Sequence, residues 1–502
     1  MNTLFYRLCL ALLVLFALIS NRATAQSYIK PLHKVTLPQA HRGTLSVDTL
    51  LMDSYGLLPQ NVREFYLNSR KVLSKFEDGD YTHPEVLKAA IDHEIPLMGG
   101  PMLGDLKPDS VKVWLRPATS KKLEIKLMDS KGSHLRNFSP EIIKPGIETK
   151  VSIDGLTPDR KYYYSLVLDE KQITQGSFRT APSPNLKGKV RLAFGADFHK
   201  VGLHNPNLFN QILKRDPLVM LLYGDSAVDG RRNKANMHRA DYLLREISQP
   251  WKRFVSRTPV YATWDDWDYF SNDTNGIPKN YMASDRELIR NVWKSNWNNP
   301  VNDPERKGIY FTTRIGPVEI FMLDTRSCRE NNRRNQYTSY LGKEQHEWLK
   351  NGLKNSKAPF KIITSGTMWS DYVSNAKDTW GSWDTEGREE LFSLIERDKI
   401  GGVLLLSGDR HGARGFKIPR KSGFEFYEFE VGTLGGAPGP PAIVEDCPEQ
   451  IFGYEGTKTI AFGEFNFDTS TDNPNVTFYL IRDTGEILEE HILSLDQLTP
   501  KD

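Results

Sequence analysis

Cysteine is nearly absent from this chain of 502 residues: Cys9, Cys328 and Cys447 are all it carries. Cys9 lies inside an N-terminal apolar stretch, so a disulfide scaffold is excluded. The other two leave one bridge or two free thiols open. Neither stands beside a candidate base, which speaks against a thiol nucleophile. A dominant charge is missing as well. Lys and Arg total 66 against 63 Asp and Glu, a formal net charge of +3. A nearly neutral chain has no broad electrostatic attraction for polyanions, so no stable nucleic-acid partner is expected. Long apolar runs are lacking beyond the N-terminus and mean hydropathy is negative, which excludes a membrane bundle. There is no solenoid-like repeat and no low-complexity tract.

Arg7 precedes an apolar stretch from Leu8 to Ile19, and Ala23-Thr24-Ala25 suits cleavage before Gln26. Residues 1–25 therefore read as a secretory signal peptide of an exported, bacterial-type protein, periplasmic or extracellular. The stretch is too short and wrongly flanked for a confident span, so no transmembrane anchor is expected after cleavage; an uncleaved anchor is the alternative. Cleavage removes Arg7 and Arg22 and no acid, taking the formal charge from +3 to about +1.

Three further segments follow. Residues 26–95 read as a helical extension: Val62, Phe65, Tyr66, Val72 and Leu73 fall at helical spacing around Ser69, with Arg63, Asn68 and Lys71 outside the stripe. A second helix starts at Pro84, with Val86, Leu87, Ala90 and Ile91 on its apolar side. Over 96–183 the period changes to two, as in Val111, Val113, Leu115 and in Leu123, Ile125, Leu127. Gly155–Asp159 leading into Tyr162, Tyr163 and Tyr164 resembles the tyrosine corner of fibronectin III-like sandwiches. From 187 to 502, apolar strands recur at Val190–Phe194, Leu218–Tyr223, Val260–Thr263, Phe360–Thr364 and Val403–Leu406. Helical stretches at Leu341–Leu353 and Thr385–Arg397 lie between some of them, which predicts an α/β class with strands buried on both faces. Hairpins are expected at Ile309–Leu323 and Asn475–Leu493.

Each of the five strands opens onto a polar motif. In order these are Gly195-Ala196-Asp197-Phe198-His199, Gly224-Asp225-Ser226-Ala227-Val228-Asp229, Trp264-Asp265-Asp266-Trp267-Asp268, Ser365-Gly366-Thr367-Met368-Trp369 and Ser407-Gly408-Asp409-Arg410-His411. Strand C-terminal ends are where open α/β sheets place ligands. Carboxylates and imidazoles from several strands suit a pair of metal ions. Asp197, His199 and His411 suit an imidazole-rich position, Asp225 a bridging one, and Asp266 and Asp409 an oxygen-rich one. Such a pair takes Fe or Zn at the first position and Ca, Mn or Mg at the second. Two adjacent ions activate water for in-line attack on phosphorus. Any single Asp reads equally well as a turn or N-cap residue, and either His alone as a hydrogen-bonded structural one. Arg326 and Arg410 are candidate phosphate clamps, or ordinary ion pairs. Trp369 reads as a pocket wall or as core. Gly432–Pro441 is a turn-rich loop suited to rim a cleft.

The run Thr263–Asp273, with Asn272 in it, together with Leu341–Leu349 and Leu406–His411, resembles the PhoD-like branch of the calcineurin-type metallophosphoesterases. The resemblance implies an αββα sandwich of two sheets flanked by helices, preceded by the small fibronectin III-like β-sandwich. It implies a phosphomonoesterase or phosphodiesterase acting on a small phosphate ester or a phosphodiester. Departures are plain. Trp267 stands where the superfamily has a histidine that protonates the leaving oxygen. Asp197 and His199 replace the Cys that PhoD-like proteins commonly carry after the first strand. Val228 replaces a Tyr ligand, and the fourth motif offers Thr367 but no His. Asp268 is then the first candidate proton donor, or else a support for Asp266. The alternative to an enzyme is a catalytically weak metal-binding protein that binds a phosphorylated ligand.

Overall fold

The computed structural model describes residues 28–300, 306–373 and 376–501, so the expected signal peptide lies outside the described residues. Residues Pro31–Asp502 form one compact unit. No described helix is long and apolar enough to cross a membrane.

The N-terminal segment is helical, at Leu37–Ala40, Leu45–Asp53, Gln60–Lys75 and Pro84–Asp92. Local chemistry sets these starts. Thr36 and Gln39 form a capping box, Thr44 caps the second helix, and Pro84 occupies a first-turn position that needs no N–H donor. Phe65, Tyr66, Val72 and Leu73 are buried, packing with Leu243, Leu244 and Ile247 of a later helix, Ala235–Ile247. Ile91 departs from expectation: it is exposed, because the helix of nine residues buries only Val86, Ala89 and Ala90.

Seven strands follow: β1 (Leu97–Gly104), β2 (Val111–Pro117), β3 (Leu123–Met128), β4 (His134–Phe138), β5 (Thr149–Ile153), β6 (Lys161–Leu168) and β7 (Lys171–Arg179). They pair as a three-stranded sheet, β1-β2-β5, and a four-stranded sheet, β4-β3-β6-β7. Leu123, Ile125 and Leu127 are buried and their neighbours half-buried, the alternation read from sequence. Thr157 donates its N–H to the Tyr162 hydroxyl (2.9 Å), closing the corner. The sandwich is tied to the rest of the chain. Tyr164 donates to Ser256 O (3.1 Å), Trp114 Nε1 to Ser295 O (3.1 Å) and Arg116 Nη1 to Asn296 Oδ1 (2.9 Å).

The remainder builds two sheets from β8 (Lys189–Gly195), β9 (Val219–Tyr223), β10 (Val260–Thr263), β11 (Phe311–Ile315), β12 (Val318–Met322), β13 (Phe360–Thr364), β14 (Val403–Ser407), β15 (Gly412–Pro419), β16 (Glu425–Val431), β17 (Gln450–Glu455), β18 (Ala461–Asp468), β19 (Asn475–Arg482) and β20 (Ile487–Ser494). One sheet runs β10-β9-β8-β18-β19-β20, the other β11-β12-β13-β14-β16-β15-β17. The period of two sorts side chains between layers. In β9, Val219, Leu221 and Tyr223 join the core between the sheets. Met220 and Leu222 of the same strand face an outer core with Phe209, Trp251 and Phe254. In β14, Leu404 and Leu406 face inward, while Val403 and Leu405 pack with Leu391 and Ile395 of the helix Trp380–Arg397. Across the sheets, the rings of Phe429 and Phe478 stack at 4.3 Å. This is a two-sheet α/β sandwich with helices outside both sheets.

Within it, β8, β9 and β10 are mutually parallel, as are β12, β13 and β14. Parallel pairing brings the C-terminal ends of a set to one edge, which is where the five polar motifs emerge.

A buried ion network joins this edge to the N-terminal segment. Lys200 Nζ, wholly buried, donates to Asp48 (2.9 Å) and Asp241 (3.2 Å). Arg70 Nε donates to Asp48 (3.0 Å), and Arg231 clamps Asp241 bidentately (2.6 and 2.8 Å). Removing one partner strands buried charge on the others. Asp48→Ala should therefore cost about 3–5 kcal/mol in urea unfolding, while Lys88→Ala, at an exposed pair with Asp92, should stay within about 0.5 kcal/mol.

Candidate metal centre

The loops after β8, β9 and β14 carry their polar residues on unusual backbone. Asp197 (φ 59°), His199 (φ 44°), Asp225 (φ 47°), Asp409 (φ 72°) and His411 (φ 43°) are all in the left-handed region. Each costs roughly 1–2 kcal/mol relative to ordinary geometry. Such strain persists where surrounding contacts over-determine it, and it collects at functional sites. The loops interlock through backbone: Asp197 N–H donates to Gly224 O (3.1 Å) and His199 N–H to Asp225 O (2.7 Å). Gly224 (φ 139°) has no substitute here, since a Cβ would lie 2.6 Å from the Cβ of Asp265.

Ligand-type atoms of Asp197, His199, Asp225 and His411 lie within 4.8 Å of one another, as do those of Asp225, Asp265 and Asp266. Asp225 belongs to both groups, which is the relation a bridging carboxylate needs. The histidine tautomers are set from outside. His411 Nδ1 donates to Pro438 O (2.7 Å), and His199 Nδ1 faces Asp229 Oδ1 (3.2 Å). The two Nε2 atoms face each other at 3.2 Å, with Asp225 Oδ2 3.8 Å from His199 Nε2. A shared proton or a cation between them satisfies both nitrogens. Their separation is that of two imidazoles on one ion at about 2.1 Å each. Both oxygens of Asp197 are buried without a hydrogen-bond partner, an arrangement that costs several kcal/mol without a counter-charge. The donor set fits a metal pair.

Electrostatics agree. Burial, then Asp409 and Asp265, push the Asp197 carboxyl well above the usual carboxylate range. Burial, then Asp266 and Asp265, do the same to Asp225. Burial raises Asp266 to about 6 against the pull of Arg326. The His411 imidazole is lowered to about 3 by burial and by His199.

Several expected roles are corrected. Arg326 is wholly buried and is not free to clamp phosphate. Its Nε and Nη2 donate to Asp265 (2.5 and 2.8 Å), Nη1 lies 2.9 Å from Asp378, and Nη2 lies 3.6 Å from Asp409. The reason is local excess of acid, which a buried guanidinium neutralises. Trp369 is core and not a pocket wall: it is 1 % exposed, stacks on Trp380 at 4.3 Å and donates Nε1 to Leu406 O (3.2 Å). Arg410 is nearly buried, with Nε 3.0 Å from Asp409 and Nη2 bonded to Lys377 O. Asp268 turns its oxygens onto the N–H groups of Ser226 (3.0 Å), Ala227 and Val228 (both 3.3 Å). That geometry braces the loop after Asp225 and not Asp266, the residue it was expected to support, and burial raises its carboxyl to about 7. Asn272 is exposed and bonds Asp273, whose N–H donates to Asp266 Oδ2 (2.5 Å). Asp409 stands at the edge of the second group, facing Arg326 and Arg410. The Gly432–Pro441 loop does lie against the site, through Pro438 O and through Gly435 N–H to Asp197 O (2.8 Å). Cys328 and Cys447 are free thiols.

Sequence reasoning missed Asp265, Asp229 and His41. Asp265 and Asp229 sit inside the quoted motifs and were legible as acids there. His41 gave no signal, because it is 158 residues before His199 in the chain.

Raised carboxyl values carry a sign. Native carboxyls that hold protons the unfolded chain releases make stability fall as pH rises through the folded values. Metal-free protein should therefore lose stability between about pH 4 and pH 8, spanning the ordinary Asp range and the raised values of Asp266 and Asp268. Urea midpoints of chelated protein across this range check the slope, and added divalent metal should flatten it.

Comparison with known proteins follows from this geometry. The family model of PhoD-like phosphatases matches residues 227–457. Alkaline phosphatase D of Bacillus subtilis (strain 168) is 24% identical over 63% of this chain, and the chain spans 65% of that relative's length. Among solved structures, PhoD aligns at TM-score 0.64 and 18% identity, covering 78% of this chain and 92% of that one. Purple acid phosphatase PPD1 from yellow lupin (Lupinus luteus) seeds aligns at TM-score 0.57 and 14% identity, covering 78% and 74%. At these identities the structural likenesses speak for the fold. The stretch 227–457 thus matches the PhoD-like phosphatase family model, and the chain shares its fold with PhoD and purple acid phosphatase.

Proposed function

We propose that this chain is an exported, metal-dependent hydrolase of phosphate esters, monoesters or diesters, working with a dinuclear centre. The carrying observation is the convergence of His199 and His411, with Nε2 atoms 3.2 Å apart, on Asp225 and the unpartnered Asp197 carboxylate. One ion would be held by Asp197, His199, Asp225 and His411, and suits Fe or Zn. The other would be held by Asp225, Asp265 and Asp266 with Asp409 beside them, and suits Ca, Mn or Mg. Two such ions supply charge stabilisation for phosphoryl oxygens and acidify an attacking water.

The chain's own groups do the rest. Asp229 and Pro438 O fix the two imidazole tautomers. Asp268 holds the backbone of residues 226–228, which positions Asp225. Arg326 holds Asp265 oriented within an acidic cluster through two hydrogen bonds. Arg410 lies at the rim beside Asp409 and is the nearer of the two arginines to solvent, the better placed to meet a phosphoryl oxygen. We read the seven strands from β1 to β7 as a fibronectin III-like module that orients the domain and takes no part in chemistry; the corner bond to Tyr162 supports this.

Initial rates on nitrophenyl phosphate mono- and diesters, after chelation and metal add-back, test the reading. Turnover should return with metal, and the ratio of the two rates sets the class. Asp225→Asn should lose more than ~100-fold, beyond what removal of an outer partner of a metal ligand costs. A folded Asp225→Asn protein with full activity would sink the bridging assignment. Metal binding with no turnover on any ester favours a binding protein instead, the outcome that Trp267 in the place of a histidine makes specific.

A further inference from the structure

The N-terminal segment brings a histidine to the metal centre. His41 follows directly on the helix Leu37–Ala40, and its ring stacks on Trp267 with centroids 3.6 Å apart and planes at 21°. It meets the ring of His199 edge-on at 5.9 Å. A ring nitrogen of His41, one of His199 and a carboxylate oxygen of Asp229 all lie within 4.8 Å of one another. His41 Nε2 is buried without a hydrogen-bond partner, and so is the second oxygen of Asp229, a residue with no exposure at all. Asp229 already accepts from His199 Nδ1 through its first oxygen. One buried carboxylate thus has a bonded histidine on one side and, near it, a second histidine whose Nε2 has no hydrogen-bond partner.

The backbone around His41 is built for this approach. Gly43 (φ 58°) lets the chain turn against Arg231: a Cβ there would lie 1.5 Å from Arg231 Nη1. Gly43 O accepts from Arg70 Nη2 (2.8 Å), and Asp48 in the next helix takes Lys200 Nζ, the residue adjoining His199. The segment is therefore held on the same short stretch, His199–Lys200, at both side chains.

We propose that His41 is a positioning residue of the metal centre, which through Asp229 fixes the imidazole of His199 for its ion, and that the N-terminal segment is thereby part of the catalytic apparatus. Outer partners of a ligating histidine set its orientation and basicity. Trp267 serves as the platform: its indole fills the place of a side chain that would reach the substrate and presents a flat face on which His41 is seated. The proposal rests on the metal-site reading above.

The test uses the mature chain and three variants, His41→Phe, His41→Gln and Lys88→Ala as an exposed control in the same segment. Zn and Mn retained per chain are measured against increasing chelator, with thermal unfolding of the metal-free proteins alongside. His41→Phe keeps a ring on Trp267 and removes the nitrogens, so it should unfold like the parent yet release its first ion at roughly tenfold to 100-fold lower chelator. His41→Gln loses the ring and keeps a donor, and should recover most of the retention. Metal retention in His41→Phe equal to the parent overturns the proposal. Equal weakening in His41→Phe and His41→Gln also overturns it, since packing would then be the cause. A parent chain that holds no metal removes the proposed function itself, an outcome distinct from both.

Discussion

Crowded acid organises this protein. Several carboxylates are withdrawn from water within a few ångströms of one another, beside two facing imidazole nitrogens. Left alone, such a cluster costs more than any one of its hydrogen bonds returns. It exists because the sheets on either side are packed well enough to hold it, and the strained left-handed residues at the ends of β8, β9 and β14 are the visible cost. The same charge excess explains where the arginines went. Arg326, wholly buried among Asp265, Asp378 and Asp409, is a permanent counter-ion to part of that acid.

Rigidity is supplied by layering. The strands that carry the clustered acids and imidazoles are buried on both faces, because alternate residues of β9 and β14 enter the inter-sheet core and the outer helical cores. Parallel pairing then fixes the ends of these strands to one edge. Loops attached to such strands inherit their precision. Gly224, with no room for a Cβ beside Asp265, marks how closely two of these loops approach.

The helical segment before the sandwich belongs to this economy. Its Asp48 sits with Arg70, Lys200 and Asp241 in a network that water does not reach. Buried ion pairs contribute little net stability, but they fix geometry, since each member is penalised if it strays. Here the geometry fixed is that of the residue next to His199.

Much of this was written in the sequence. Apolar runs of four to six residues, each followed by a short polar motif, named the strands, their shared edge and most of the clustered acids and imidazoles, because burial and polarity are local properties of residues. The order of motifs favoured a candidate metal site over a set of unrelated turns. The period of two named strands between residues 96 and 183, while only the fold picked Tyr162 from the run Tyr162–Tyr164 as the one that bonds Thr157 N–H. What sequence left open were choices between neighbours and partners. Whether Arg326 meets a substrate or a carboxylate, whether Trp369 lines a pocket or a core, and whether Asp268 gives a proton or braces a loop all depend on which way one side chain turns after a strand ends. His41 lay beyond any local pattern. Its approach to His199 needs a turn at Gly43, a platform at Trp267 and an ion pair between Asp48 and Lys200, which are distant in sequence and meet only after the chain has folded. Sequence determined which chemistry was present; tertiary packing decided which groups share it, because charge and hydrogen bonding act through space and not along the chain.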